Sequence, residues 1–260
     1  MSGAVMPARR AWAKPGKGWV LPLWLLVAWD LAVRAHLLNP VFWASPEAVL
    51  VACGAALRDG TLWTDLEASL SRDFAGFALG AIPALALGLA MGRLRVVARL
   101  FSPSLATLRQ VAIFAWVPLI SVWFGSGEWG KVIFVAMVTA FPVLLNAERG
   151  AAGIEPGYQE VAQLYRLGPW QRLRRLILPG ALPGIVTGLR LGLIYAWLGT
   201  IGAEYLLQSG AGIGNALIDG RDQFRMDEVV FDTLLIGLIG FGINGAAGVV
   251  ERWIVRRCGG

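Results

Sequence analysis

Charged residues are scarce in this sequence. Asp, Glu, Lys and Arg make up 15% of the 260 residues, whereas hydrophobic residues make up 57% and the mean hydropathy is +0.62. A soluble chain this apolar would lack the polar surface that keeps a folded domain in water. The composition therefore excludes an ordinary soluble protein and predicts one that crosses a membrane several times.

Cysteine and histidine are also nearly absent, with two cysteines and one histidine. Cys53 and Cys258 fall on opposite sides of the predicted membrane, so they cannot form a disulfide within one chain. His36 stands alone, and no Cys/His/Asp cluster has the spacing of metal ligands or of a His-based triad. We expect no metal site, no catalytic residue and no cofactor bound by this chain.

Six apolar stretches are long enough to cross a bilayer, given about 20 residues per span. They lie at residues 18–36, 69–92, 104–124, 130–147, 182–206 and 230–251. The sequence thus predicts an all-α membrane protein with six transmembrane helices. Residues 1–17 would form a cytoplasmic tail and residues 18–260 a single transmembrane domain.

Lysine and arginine cluster beside three of these stretches and set the orientation. They precede the first stretch and follow the second and sixth, as Arg9, Arg10, Lys14, Lys17, Arg93, Arg95, Arg99, Arg252, Arg256 and Arg257. The positive-inside rule then predicts that both termini are cytoplasmic. The net charge of +6 and pI near 9.9 do not indicate nucleic-acid binding, because the basic residues follow the membrane boundary, where lipid is the expected partner.

The first apolar stretch could be taken for a signal peptide, since basic residues precede it. No small-residue cleavage site follows Trp19 to Ala35, and Asp30 and Arg34 interrupt the apolar run. We expect a retained span in which Asp30 and Arg34, four residues apart, pair on one helix face.

A basic, proline-containing loop separates the fourth and fifth stretches and reads EVAQLYRLGPWQRLRRLILPGALP from Glu160 to Pro183. The Leu167-Gly168-Pro169 turn predicts two short helices, because Gly permits positive φ at a helix end and Pro suits the first turn of a helix. Four leucines supply apolar surface and four arginines keep the element cytoplasmic, namely Leu164, Leu167, Leu173, Leu176, Arg166, Arg172, Arg174 and Arg175. Such a surface predicts a soluble partner.

At these residues the sequence resembles the permease subunits of ATP-binding-cassette importers, whose cytoplasmic loop reads E-A-A, three residues, G, nine residues, then I-x-L-P. Glu160, Ala162 and Leu178-Pro179 fit, while Val161 replaces an alanine. Arg166 occupies the usual glycine position, and we expect Gly168 to supply the turn two residues later. The resemblance implies an ATPase-coupling loop at about 155–179 that includes Glu160, Val161, Ala162, Leu164, Tyr165, Arg166, Gly168, Pro169, Leu178 and Pro179.

The resemblance covers roughly residues 40 to 255 and is strongest to the subgroup for nitrate, taurine, aliphatic sulfonates and related small anions. It rests on Leu108-Arg109-Gln110 with Val117-Pro118-Leu119-Ile120 and Trp123-Phe124-Gly125, on Phe141-Pro142, on the loop, and on Ala203-Glu204 with Gly210 to Gly214. It implies the type I ABC importer permease fold in a bacterial cytoplasmic (inner) membrane. The implied partners are a second copy, two ATP-binding subunits that carry ATP and Mg, and a periplasmic or lipid-anchored solute-binding protein.

Gly125 to Val132 nearly matches the phosphate-binding loop pattern, but its context rejects nucleotide binding. Val132 has no hydroxyl for Mg²⁺, and no strand and crossover helix surround the motif. We interpret it as an outer turn with Lys131 at the membrane interface. ATP is then expected on another polypeptide.

Small residues recur four apart at Gly76 and Gly80, at Gly88 and Gly92, and at Gly184, Gly188 and Gly192. In lipid, such ridges let helix backbones approach closely, so we expect them to form helix contacts and a dimer interface. Prolines in or beside spans kink or break helices, and both a gating role and ordinary packing stay open for them. They are Pro83, Pro118, Pro142 and Pro183.

Polar residues inside the spans are candidates for a translocation path or gate, because each must otherwise bond across helices. They are Gln110, Ser121, Asn146, Thr200, Glu204 and Asn244, with Thr139 beside them. A carboxylate would repel a bound anion, so Glu204 is expected to have a structural or gating role, hydrogen-bonded to the Gly210–Gly214 loop. The charged segment 219–228 is either solvated surface or part of a docking rim for a solute-binding protein.

Two alternatives to an importer permease are an ATP-independent secondary transporter or channel and a membrane scaffold that transports nothing. A proton-coupled carrier needs buried carboxylates or histidine in mid-span. Here the acidic residues fall near the predicted span ends, which favours the importer.

Overall fold

The computed structural model describes residues 20–35, 37, 39 and 42–258 of the chain. All regular structure within that part is helical, without a strand. The helices are α1 Val20–Arg34, α2 Pro46–Asp59, α3 Thr61–Arg93, α4 Arg95–Leu108, α5 Val117–Phe124, α6 Glu128–Ala152, α7 Pro156–Leu164, α8 Pro169–Arg172, α9 Leu178–Leu207, α10 Ile213–Asp222 and α11 Met226–Cys258. The predicted tail at 1–17 and His36 lie outside the described residues.

Four helical segments of the described chain are long and apolar enough to cross a membrane. They are Thr61–Arg93, Glu128–Ala152, Pro169–Leu207 and Met226–Arg257, and they match the predicted spans at 69–92, 130–147, 182–206 and 230–251. The predicted first span corresponds to α1, whose described part has 15 residues. We call "outer" the end of the bundle that carries residues 125–128 and 208–214, following the predicted orientation.

The predicted third span, 104–124, is not one helix. The segments Arg95–Leu108 and Ile113–Phe124 meet at a bend of 91°. Ala112 is extended, with φ −57° and ψ 129°, and Pro118 lies at the start of α5, where its missing N–H needs no partner. An average hydropathy over this stretch cannot detect the bend, because both arms are apolar.

Helix α6 forms the centre of the bundle, and glycines bring its neighbours into backbone contact. A Cβ placed on Gly80 of α3 would lie 2.2 Å from the carbonyl oxygen of Ala136 on α6. On the α9 side, a Cβ on Gly184 would lie 2.7 Å from the carbonyl oxygen of Asn146. Only glycine permits such an approach, which maximises van der Waals contact in a medium that gives helices little hydrophobic drive.

All the predicted glycine ridges are used within one chain. Those of α3 and those of α9 both face α6, through Gly76, Gly80, Gly88, Gly92, Gly184, Gly188 and Gly192. The expected helix contacts are therefore confirmed. Their assignment to a dimer interface is wrong, since the space at each glycine is already filled by the same chain.

Prolines inside the long helices do not break them. Pro83, Pro142 and Pro183 lie within α3, α6 and α9, which continue through each of them. The break expected from proline occurs only near Pro118, at the bend described above.

At the N-terminal side, Asp30 and Arg34 pair at 2.8 Å as predicted, and Arg34 also reaches Glu47 of α2 at 2.5 Å.

Candidate functional site

The segment that joins the fourth and fifth predicted spans consists of two short helices, as the sequence predicts. Helix α7 ends at Leu164, and α8 begins at Pro169 after a four-residue turn. A π turn at Leu173–Ile177 then carries α8 into α9 without a break in the helical path. Residues 169–207 thus form one long helical element that runs from this segment through the bundle.

The turn between α7 and α8 has a different geometry from the one predicted. Arg166 has φ +49°, a left-handed conformation, and its N–H donates to Gln163 at 2.9 Å. Gly168 has φ −64° and ψ 162° and is the N-cap of α8, where its N–H donates to Gln171 at 3.3 Å. Arg166 therefore makes the turn itself at the usual glycine position, and Gly168 does not replace it.

The two short helices present an apolar and aromatic surface to the outside of the bundle. Leu164 is 82% exposed, Tyr165 is 74% exposed and Trp170 is 70% exposed, and Tyr158 and Val161 lie in the open beside them. Single exposed apolar residues are ordinary, but a contiguous group of this size marks an interaction surface. We call these five residues the coupling surface.

The other predicted coupling residues differ in how far their side chains are exposed. Glu160, Arg166, Pro169, Leu178 and Pro179 are exposed, whereas Ala162 is buried. Of the four leucines expected to supply contact surface, only Leu164 is fully exposed. Leu167, Leu173 and Leu176 are half-buried, because they pack the segment onto the bundle.

A buried charge cluster ties α3, α6 and α9 together at the outer end. Arg72 of α3 is almost fully buried and lies 2.7 Å from the Glu204 carboxylate of α9 and 2.5 Å from Glu128 of α6. Ser69 donates to both oxygens of Glu204, at 2.8 and 3.0 Å. Three helices thus meet at a charge pair whose partners are 132 residues apart in the chain. We call Ser69, Arg72, Glu128 and Glu204 the outer polar cluster.

The Gly210–Gly214 loop closes over the outer polar cluster through its backbone N–H groups. Gly214 donates to Glu204 at 2.8 Å, Ile213 to Ser69 at 3.0 Å, and Gly212 to Asp65 at 2.7 Å. A Cβ on Gly212, whose φ is +148°, would lie 2.6 Å from the Glu204 carboxyl carbon. The hydrogen bond expected between Glu204 and this loop is present, and glycine is required for the close approach.

Lys131 also holds the loop and is not at the membrane interface as predicted. Its side chain is fully buried, and its ammonium group donates to the Ser209 carbonyl oxygen. Residues Gly125–Gly127 form the expected turn between α5 and α6, and α6 begins at Glu128. The lysine extends inward because the loop offers an acceptor there and the membrane offers none.

The candidate path residues do not converge on one site. Thr200 and Glu204 are buried, and Thr200 approaches the Asp73 carboxylate at 3.5 Å. The remaining four lie apart, since Ser121 bonds to Ser126, Asn146 donates to Pro142, Asn244 accepts from Arg190, and Gln110 is exposed at a cavity beside the bend.

Asp73 falls near the start of the predicted span at 69–92, as expected for the acidic residues, but its side chain is buried. It lies inside α3 with no exposed surface, and one of its carboxylate oxygens has no hydrogen-bond partner within the described chain. Among the described residues, no charged side chain forms an ion pair with it. A buried carboxylate of this kind is expensive in a membrane and is a functional-site candidate.

The family model for the binding-protein-dependent transport system inner membrane component matches residues 76–259. This chain belongs to that family. The permease is therefore a multi-pass inner-membrane protein and a component of a binding-protein-dependent importer. The secondary-transporter alternative has no such support.

Named relatives and a solved structure agree with this assignment. The permease is 35% identical to the aliphatic sulfonates transport permease protein of Escherichia coli K12, over 92% of this chain and 90% of the relative. It is 33% identical to the bicarbonate transport system permease protein of Synechococcus elongatus, over 77% and 72%. Taurine and nitrate permease proteins are also among its relatives.

The fold of the permease is that of a chain in the MetNI methionine ABC transporter, solved in inward-facing conformations. The TM-score is 0.60 at 20% identity, over 74% of this chain and 94% of that one. The helical arrangement thus matches the architecture that the resemblance implied, within the described residues.

Sequence reasoning missed several of the buried or paired polar residues that the structure describes. Ser69, Arg72 and Asp73 fall at the start of an apolar stretch, where polar residues pass for a membrane boundary. Arg190 of α9 pairs with Glu251 of α11 at 2.6 Å and was not considered at all. The available signal was charge inside an apolar run, which a membrane helix keeps only when a partner lies nearby.

Proposed function

We propose that this permease forms the translocation path of an ATP-driven importer for a small anion, such as a sulfonate, taurine, nitrate or bicarbonate. The coupling surface carries the proposal, because it is apolar and exposed, and its residue Trp170 belongs to the spanning element 169–207. The relatives named for sulfonates, bicarbonate, taurine and nitrate support the solute class.

The coupling surface transmits force from an ATP-binding subunit. Leu164, Tyr165 and Trp170 fill a groove on that subunit, while Glu160 and Arg166 make polar contacts at its edge. ATP and Mg bind to the partner subunit, so this chain contributes no catalytic residue. When two ATP-binding subunits close, residues 169–207 move as one rigid element and tip the helix bundle between inward-open and outward-open states.

The outer polar cluster serves as a brace for the outer end of the path. Glu204 receives hydrogen bonds from α3 and from the Gly210–Gly214 loop, so a tilt of α9 has to move the loop as well. This assigns Glu204 a gating role without contact to the anion. Gln110, Ser121, Asn146, Thr200 and Asn244 remain candidate path residues, of which Gln110 borders a cavity.

The assembly contains two copies of this chain, each with six spans and cytoplasmic termini. A periplasmic or lipid-anchored solute-binding protein docks at the outer end, where the charged segment 219–228 lies. Specificity then resides largely in that binding protein, and the permease holds its solute weakly so that release is fast.

Charge placed on the coupling surface tests the proposal. Leu164→Glu should abolish co-purification of the ATP-binding subunit, because a carboxylate in an apolar groove loses its hydration without a partner. Glu160→Lys and Gly168→Val should weaken docking in the same way. Leu57→Glu is the matched control, since Leu57 is an exposed leucine of α2 at the outer end.

Membrane insertion, uptake and ATPase co-purification are measured together for each variant. The proposal requires that Leu164→Glu inserts normally, loses the ATP-binding subunit and loses uptake, while Leu57→Glu retains all three. Normal docking and normal uptake with Leu164→Glu and Glu160→Lys would refute the role of the coupling surface. Uptake that persists without any bound ATPase would point to a secondary transporter.

A further inference from the structure

The bend in the third predicted span places a charged residue among the spanning helices, where an unpaired charge is energetically costly. Residues 109–112 connect the two arms of this span, and Arg109 and Gln110 are exposed there. They border a cavity of about 500 Å³, whose other walls include Phe141, Leu191 and Tyr195. These three residues lie near the middle of α6 and α9, so Arg109 is level with the middle of two spanning helices.

Arg109 differs from the other arginines inside the bundle. Arg72 pairs with Glu128 and Glu204, and Arg190 pairs with Glu251. The guanidinium of Arg109 has no ion pair or hydrogen bond with any residue that the structure describes, and neither has the side-chain amide of Gln110. An unpaired guanidinium facing hydrocarbon is strongly unfavourable, so it must face water or an anion.

The backbone at the bend leads to the same conclusion. Non-helical backbone at membrane depth is stable only where it is buried in protein or lines a water-filled cavity. Residues 109–112 are exposed within this chain, so either the cavity or a second copy must face them, and the unpaired guanidinium favours the cavity. Broken helices near the membrane middle also form the solute sites of many transporters, because they free polar groups for the ligand.

We propose that Arg109 and Gln110 form the anion contact of the translocation path. The inference rests on the proposed function and adds the residues that hold the solute. A guanidinium offers two parallel N–H donors to the oxygens of a sulfonate, carboxylate or nitrate group, and the Gln110 amide offers another donor. A single unpaired arginine binds weakly, as release requires, and its charge selects anions over cations.

Thiol labelling in membrane vesicles tests the contact without knowledge of the solute. Gln110→Cys is made in a chain that carries Cys53→Ser and Cys258→Ser, in complex with the ATP-binding subunits. Two methanethiosulfonate reagents of similar size are compared, one carrying a sulfonate and one a trimethylammonium group. The labelling rate of each reagent at position 110 is measured with and without ATP and is divided by the rate of the same reagent with free cysteine.

The anionic reagent should react roughly fivefold faster than the cationic one, because a positive charge a few ångströms away raises the local anion concentration. Arg109→Gln should remove this preference and Arg109→Lys should keep most of it. Arg58→Gln should leave it unchanged, since Arg58 is an exposed arginine on α2.

Two results would overturn the proposal. One is absence of labelling at position 110 in both nucleotide states, which would place the residue against protein or lipid. The other is a preference that Arg109→Gln leaves unchanged, as expected if a carboxylate of a second copy already neutralises Arg109. Loss of the ATP-binding subunit from the unsubstituted complex would instead count against the proposed function and leave the labelling ratio interpretable.

Discussion

Arg72 and Glu204 form the most buried of the ion pairs that the structure describes, with 4% and 0% of their side chains exposed. Such a pair stabilises little compared with apolar packing, because both ions lose their hydration. Removal of one partner is a different matter, since the remaining ion stays buried without compensation. Each ion of the outer polar cluster is therefore tolerated only while its partner is present, so loss of either one should destabilise the protein.

Glu204→Gln should destabilise the permease by about 3 kcal/mol, because Arg72 would keep only the exposed Glu128 as a carboxylate partner. Thermal unfolding of the purified complex in detergent measures the effect. The control is Asp222→Asn, which makes the same change in an exposed pair with Arg221 at the outer end. The Asp222 carboxylate raises the pKa of Arg221 by hydrogen bonding, but Arg221 stays hydrated without it. Equal unfolding temperatures for the two variants would contradict the proposed role of the outer polar cluster as a brace.

Residue roles were predictable where a local pattern sets them and not where a distant partner does. Pairing of Asp30 with Arg34 follows from helical spacing, and the bond from Glu204 to the glycine loop follows from their closeness in sequence. The contact of Arg72 with Glu204 depends on how α3 and α9 pack against each other. No local pattern encodes that distance, so sequence reasoning overlooked Arg72 and placed Lys131 wrongly.

At the scale of elements, the contact between α3 and α6 depends on glycines that bring the two backbones together. Gly80→Ala should separate the helices, because the new Cβ would meet the Ala136 carbonyl oxygen at 2.2 Å, where no side-chain rotation can relieve the clash. We expect a loss of about 2 kcal/mol from overpacking, measured by thermal unfolding in detergent.

Gly237→Ala is the matched control for Gly80→Ala. Gly237 lies in the spanning helix α11, and a Cβ there would meet nothing within 4 Å. Alanine is intrinsically better than glycine in a helix, so this variant should be as stable as the unsubstituted permease or slightly more so. If both variants lost stability equally, the effect would come from glycine content and not from the α3–α6 contact.

Element boundaries could be predicted where sequence features mark both ends. Pro156 and Pro169 begin α7 and α8, and the predicted turn lies between them. The bend at 109–112 could not be predicted, since hydropathy averages are the same for a straight and a bent apolar segment. The left-handed Arg166 was also unforeseeable, because the preference for glycine at such positions is strong but not absolute.

At the scale of the whole molecule, the helices differ greatly in how much of their surface the chain itself covers. The most apolar window of the α6 span is 50% buried, whereas that of α11 is only 6% buried. A soluble protein could not leave α11 so exposed, but lipid or a second subunit can cover it. The bundle of α3, α6 and α9 therefore forms the rigid part of one chain, and α11 lies at its edge.

The orientation of this bundle is the last prediction. Both termini and the coupling surface should be cytoplasmic, and α10 should face outside, because lysine and arginine concentrate at the opposite end. With Cys53→Ser and Cys258→Ser as background, Asp222→Cys should react with a membrane-impermeant maleimide in intact cells. Gly157→Cys should react only after permeabilisation, and its site in α7 is open, with nothing within 4 Å of a Cβ there. The reverse pattern would put the coupling surface outside, where no ATP-binding subunit could reach it.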